Sequence, residues 1–311
     1  MNHALHTVLG ATGAIGKAVV HELKFRNLRI RAVQRKGSIT DVDNVNADIL
    51  LAHETMKAIK GSTHVYMCTA VPYSAKLWQQ KWPLMMKNVI DACAEEGARL
   101  IFLDNIYMYG PSPLAVPFTE HHPQFPPSAK GQVRKQIADM LMQAASEHRI
   151  KAIIGRSADI YGPGGLNSPI YHSFLSRMLE GKAPQSLAPK RAKITYAYIP
   201  DIGKALVMLA LTQDAYQQVW HLPVGRPISI QEIADIINKE LGTHHKVSYI
   251  SKGKMQILSL FIPILKEIKE MMYQYETEYY MSFEKFHKQF PDFQVTPYEI
   301  GIPEMVRYFK K

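Results

Sequence analysis

Through its first half the chain alternates short apolar runs with longer stretches whose apolar residues recur every three or four positions. The runs at 7–9, 29–34, 64–69, 100–103 and 151–155, with a further strand end at 46–50, are too short for helices and read as buried strands. The stretches at 17–24, 53–59, 84–96 and 131–147 carry the helical period. In the third of these Val89, Ile90 and Cys93 share a face, and Gly97 follows as a C-cap. In the fourth Ile137, Met140, Leu141 and Ala144 line one side. Strands and helices in this alternation imply an α/β fold, a doubly wound parallel sheet with right-handed crossovers. Further on, residues 255–272 read as an amphipathic helix interrupted at Pro263, continuing into Tyr273, Tyr275, Tyr279 and Tyr280.

Composition narrows the class. With 311 residues, 47% hydrophobic and 21% charged, the chain is an ordinary globular mix long enough for two domains. The first strand begins about six residues in, so no signal peptide is expected. The longest apolar run, 257–265, is too short to span a bilayer and contains Ser259 and Pro263, so no membrane partner is expected. Cys68 and Cys93 fall at a strand end and inside a helix; they read as buried thiols of a reducing, cytoplasmic protein. The net charge of +10 comes from scattered residues without interleaved aromatics, which argues against nucleic acid. The thirteen histidines lack metal-ligand spacing, so no metal is expected.

Candidate chemistry begins at residue 10. A strand runs into Gly10, Gly13 and Gly16, then into a helix that starts near Ile15. Gly10 permits a tight turn, Gly13 lets a pyrophosphate approach the backbone, and Gly16 lets the helix pack on its strand. Thr12, Ala14 and Ile15 complete the loop, and the helix N-terminus offers N–H groups and partial positive charge to an anion. The spacing is G-x-x-G-x-x-G, in the context of a Rossmann-type dinucleotide site.

The second strand supplies the preference between cofactors. An NAD site places an acid about 20 residues after the glycine loop to hold the ribose 2′-hydroxyl. Here the strand ends in Gln34, followed by Arg35 and Lys36. Arg35 can fork onto a 2′-phosphate and stack on adenine, which predicts NADP(H) over NAD(H).

These features, in order, resemble the short-chain dehydrogenase/reductase superfamily, in its extended, epimerase/dehydratase-like branch. Gly10-Ala-Thr-Gly-Ala-Ile-Gly16 looks like its nucleotide loop, and Asn46-Ala-Asp48-Ile49 like its adenine-contacting strand end. Ile106-Tyr-Met-Tyr-Gly110, Asp159-Ile-Tyr-Gly-Pro-Gly164, Ile199-Pro-Asp201-Ile202 and Trp220-His-Leu-Pro-Val-Gly225 follow in the same sequence as in that branch. The resemblance implies adenine contacts from Asp48 and Ile49, with Ala70 joining the cofactor site. It implies a nucleotide domain over 1–165 and 195–225, the stretch 195–198 rejoining or flanking the sheet. A smaller C-terminal substrate lobe would cover 166–194 and 226–311. It also implies a homodimer through the helices 84–96 and 131–147.

The catalytic positions depart from that branch. Its serine or threonine falls on Asn105, and its Y-x-x-x-K falls on Lys130-Gly-Gln-Val-Arg134. Lys130 and Arg134 are four apart and share a helix face. Arg134 can hold a ribose, Lys130 can pass a proton, and the Asn105 amide can hold a carbonyl oxygen. Tyr107 and Tyr109, two apart, point to one side of a strand; either could reach the cleft, as could Tyr161 or Tyr73.

Two function classes follow. The first is an NADP(H)-dependent oxidoreductase or epimerase-like enzyme that transfers hydride on a small carbonyl, hydroxyl or sugar-like substrate. The second is a sensor, which binds NADP(H), has lost its chemistry and signals occupancy to a protein partner.

Overall fold

Seven short strands pair in parallel along the first part of the chain. In the computed structural model, which describes residues 4–251, 253, 255–256, 263–275 and 277–310, these are β1 (Leu5–Leu9), β2 (Arg29–Gln34), β3 (Asp43–Asn46), β4 (His64–Met67), β5 (Arg99–Asp104), β6 (Ala152–Arg156) and β7 (Gln218–His221). Their order across the sheet is β7-β6-β5-β4-β1-β2-β3, and every neighbouring pair is parallel. The expected α/β doubly wound sheet is therefore the observed one. Between β1 and β4 the strand order reverses direction, which opens a crevice at the carboxyl ends of those two strands.

Helices α1 (Ala14–Phe25), α2 (Ala52–Ile59), α3 (Ala75–Glu96), α4 (Ala129–Ser146) and α5 (Ile199–Leu211) connect these strands. Strand residues two apart, such as Val65 and Met67, Leu100 and Phe102, Ala152 and Ile154, share one face of the sheet. They form one core with Trp82, Met86 and Val89 of α3 and Ile137 and Leu141 of α4. Gly203 of α5 meets α1 directly, since a Cβ there would lie 2.6 Å from the Ala18 carbonyl carbon.

The sequence pattern misplaces some boundaries. The third strand covers Asp43–Asn46 and not 46–50, because Asp48 and the residues after it turn into α2. Helix α3 begins at Ala75 rather than 84 and carries Pro83 in its interior. Trp78 and Trp82, four apart, bury the added turns and offset the hydrogen bond that proline omits. Gly97 ends the helix in the left-handed region, as the C-cap reading expects.

The chain divides into two compact units. The first comprises Met1–Met108, Lys130–Ser157 and Pro200–Leu222, and holds the whole seven-stranded sheet. The second comprises Tyr109–Ala129, Ala158–Ile199 and Pro223–Lys311. Residues 109–129 and 158–165, read from sequence as part of the nucleotide domain, thus fall in the second unit. Phe118 packs there on Tyr279 and bridges to Met281. The expected return of residues 195–198 to the sheet is also corrected. Ala197–Tyr198 instead pairs with Ile160–Tyr161 in a separate two-stranded ladder.

Within the second unit, helix α6 (Ile230–Leu241) starts at a capping box formed by Ser229 and Glu232. Helices α7 (Pro263–Lys269), α8 (Glu284–Gln289) and α9 (Tyr298–Phe309) follow. Tyr161 packs between Tyr198 and Tyr298, with ring centroids 5.2 and 5.3 Å away. Gly225 and Gly301 leave room for this cluster: a Cβ would come within 2.5 Å of the Tyr298 ring and 2.8 Å of the Tyr161 hydroxyl. Of the helix expected over 255–272, residues 255–256 and α7, which Pro263 opens, are helical; residues 257–262 lie outside the described residues. No described helix is long and apolar enough to cross a membrane. Cys68 and Cys93 are buried free thiols, and burial pushes both upward, Cys68 to about 12.

Two histidines in the sheet give folding a pH dependence. His6 of β1 and His64 of β4 stack with ring centroids 4.5 Å apart and 4° between planes. Burial lowers each from 6.5 to about 4, and the charges of His6 and Arg99 add to the effect on His64. The unfolded chain takes up these protons near 6.5, the folded one only near 4, so stability falls as pH drops through that window and levels off below it. The urea midpoint should decline over that interval, and a His6→Phe/His64→Phe double variant should show a flatter profile.

Candidate active site

At the carboxyl end of β1 the backbone turns on Gly10, whose φ of +79° is open to glycine at little cost. Its N–H donates to the Val33 carbonyl of β2 at 2.9 Å, and a Cβ there would sit 2.9 Å from the Cys68 carbonyl oxygen. Gly16 is more tightly constrained: a Cβ would lie 2.2 Å from the Gly10 oxygen. Gly13, by contrast, is exposed and extended, and a Cβ would meet only the Gly10 oxygen, at 3.3 Å. Two glycines therefore bring helix and strand together, while the third leaves open backbone at the mouth of the loop. Helix α1 has no side-chain cap and no acid in its first turn, so its N–H groups face outward under a favourable dipole. Thr12 is exposed, and Ala14 and Ile15 are half-buried. This cradle fits a pyrophosphate.

The edge beyond β2 is held by amides. The Gln34 side chain donates to the Gly37 carbonyl and to Asn44 Oδ1. Asn44 also accepts from the Ile39 N–H and donates to the Ile39 and Val42 carbonyls. Arg35 and Lys36 project from this braced turn into solvent. Across from it the Asp48 carboxylate accepts the Leu50 N–H at 3.0 Å, and Ile49 is buried with its carbonyl accepting from Asn88. Ala70 is exposed just past β4.

The end of β5 is organised by one carboxylate. Asp104 accepts from the Arg134 Nε–H at 2.7 Å and from the Asn105 N–H at 2.8 Å, and Arg156 Nε lies 3.5 Å away. Asp104, Arg134 and Arg156 are all buried. The Arg134 guanidinium also sits over Trp82 and Phe102, at 4.5 and 5.1 Å from the ring centroids, and donates to the Leu103 carbonyl. These donors join α4 to β5. Lys130, one turn earlier, is fully buried, with its Nζ 4.5 Å from the centroid of the Tyr73 ring.

Asn105 uses its side-chain oxygen to accept the Tyr107 N–H at 3.1 Å. The strand reading of Tyr107 and Tyr109 is corrected, because β5 ends at Asp104 and the chain turns. Tyr107 stacks on Trp78 at 6.1 Å; Tyr109 is fully buried against Phe118 and His122 in the second unit. Tyr161 is likewise sealed in its own aromatic cluster. Sequence reasoning missed Asp104, Arg156, Trp78 and Trp82. An acid closing the otherwise apolar run Leu100-Ile-Phe-Leu-Asp104 was the available signal, as was the W-x-x-x-W spacing.

The second unit holds a cleft of about 710 Å³ lined by residues 224–227, 280–284 and 295–299. None of the site residues expected from the sequence lines it.

Comparison with known proteins agrees with this architecture. A family model described as NAD dependent epimerase/dehydratase family matches residues 6–225. A curated relative from Methanocaldococcus jannaschii, with the provisional name UDP-glucose 4-epimerase, is 23% identical over 164 residues; the match spans about half of each protein (51% and 52%). Among solved structures, the UDP-glucose 4-epimerase of Thermotoga maritima with UDP-glucose superposes with a TM-score of 0.81 at 17% identity, covering 98% of both chains. An epimerase from Methanothermobacter thermautotrophicus gives 0.83 at 14%, covering 98% of this chain and 92% of that one. The UDP-glucuronic acid 4-epimerase of Bacillus cereus, in complex with NAD, gives 0.80 at 16%, covering 98% of both.

The Asp104 cluster sets a stability prediction. Removing the carboxylate breaks the buried Asp104–Arg134 ion pair, so Asp104→Ala should cost about 3–5 kcal/mol in urea denaturation. A loss below about 1 kcal/mol would mean that the cluster is hydrated and of little structural weight.

Proposed function

The chain belongs to the NAD-dependent epimerase/dehydratase family, and on that premise we propose that it binds NADP(H) and transfers hydride on a small carbonyl, hydroxyl or sugar-like substrate. The observation that carries this reading is the cradle at Gly10, Gly13 and Gly16, followed by a braced turn that presents Arg35 and Lys36. The cradle supports a dinucleotide. The two cations stand where a ribose-binding acid would favour NAD, and an acid there would repel a 2′-phosphate. The Bacillus cereus neighbour is named as a complex with NAD; Arg35 is the basis for a different preference in this chain.

When bound, the nicotinamide supplies or accepts the hydride. The residues of this chain position and polarise the substrate. The backbone N–H groups at the start of α1 take the pyrophosphate, and Asp48 and Ile49 border the adenine. Asn105 donates its amide N–H to the substrate oxygen, and the Lys130 ammonium places positive charge beside the reacting centre. Arg134 and Asp104 hold both in register from behind. The names of the relatives favour a sugar-like substrate.

Titration with NADPH and NADH tests the cofactor. Wild type should favour NADPH, and Arg35→Ala should weaken NADPH binding about 10–100-fold, the worth of a charge-assisted hydrogen bond, while leaving NADH nearly unchanged. Equal wild-type affinities would remove the case for NADP(H). A screen of aldehydes, ketones and nucleotide sugars tests the reaction. On any substrate found, Lys130→Ala should lower kcat by about 10²–10⁴. NADPH binding without turnover of any class would instead support the sensor.

A further inference from the structure

The fully buried Lys130 has its Nζ 4.5 Å from the centroid of one ring, Tyr73. That ring comes from the loop after β4, at the carboxyl edge of the sheet where the strand order reverses. The loop borders the glycine turn, since the Cys68 carbonyl lies within 2.9 Å of a Cβ built on Gly10. Its conformation is braced. The Trp78 indole N–H donates to the Pro72 carbonyl at 3.0 Å, the Ser74 N–H donates to the same oxygen at 2.8 Å, and Trp78 meets the Tyr73 ring edge-on at 5.8 Å. Tyr73 is half-buried, so its ring is fixed while part of it stays open.

We propose that Tyr73 is the proton donor and acceptor of the reaction, and that Lys130 is the positioning residue whose ammonium stabilises its phenolate. This rests on the hydride-transfer reading above. In the reductive direction hydride arrives at the substrate carbon and the C=O π pair moves onto oxygen. The Tyr73 O–H bond breaks as a new O–H bond forms on the substrate, which leaves a phenolate that a solvent proton restores. Oxidation runs the same exchange in reverse.

A phenol beside a desolvated ammonium is suited to this exchange, because the cation favours the ionised form at short range and low dielectric. Arg134, one turn along α4, pairs with Asp104 of β5. The deeply buried phenols behave in the opposite way: burial pushes Tyr66, Tyr196 and Tyr279 up, and Tyr216 to about 12. An early-ionising tyrosine would therefore stand apart from them.

The test is a near-ultraviolet phenolate titration of the free full-length protein, which needs neither substrate nor cofactor. One phenol should ionise below the ordinary value of about 10. That step should vanish in Tyr73→Phe and move back toward the ordinary range in Lys130→Met, which keeps the length of the side chain. On a substrate found by screening, Tyr73→Phe should lower kcat by about 10²–10⁴ with NADPH binding intact. A wild-type titration without the early step, an early step that persists in Tyr73→Phe, or an unchanged kcat in that variant overturns the assignment. Failure of wild type to bind NADPH is scored separately by cofactor titration and counts against the hydride-transfer reading itself.

Discussion

The Asp104 carboxylate is the point on which the candidate site is built. It stands at the last residue of β5, where it accepts hydrogen bonds from α4 through Arg134 and from the backbone of Asn105, with Arg156 of β6 close by. One buried anion thus sets three things together: the end of a strand, the seating of a helix and the turn that starts at Asn105. Such a cluster is a poor source of net stability, because desolvation offsets much of the Coulombic attraction. Its value is in specificity of position. The guanidinium of Arg134 also lies against the Trp82 and Phe102 rings, so the helix cannot slide along the sheet without losing both contacts.

The sheet was legible in the sequence because parallel strands covered on both faces read as apolar runs. The glycine loop was legible for a different reason: two of its three glycines sit where a Cβ collides with backbone, so their identity is forced by geometry. What was hidden depended on contacts between distant segments. The first turns of α3 look polar, with Lys76, Gln79, Gln80 and Lys81 ahead of a proline, and are held by Trp78 and Trp82. Tyr107 and Tyr109 resume an apolar pattern just after the polar pair Asp104-Asn105 that closes the strand. Only the Asp104 and Asn105 hydrogen bonds show that the strand has ended. The placement of residues 109–129 was beyond reach for the same reason, since their partners lie more than a hundred residues later in the chain, as Phe118 with Met281 shows.

Lys130 gives the strongest physical argument for chemistry at this place. It lies on a helix face that continues the buried stripe of Val133 and Ile137, and its own exposure is 0%. A leucine or methionine there would extend the stripe with no ammonium to desolvate, and taking a charge out of water costs several kcal/mol. The contact with the Tyr73 face offsets about 2 kcal/mol or more of that. A buried ammonium departs from the local choices of a chain that otherwise agree with its fold, and it faces Tyr73 of a loop that borders the glycine cradle. Departures of this kind concentrate where a site needs a charge that the fold does not.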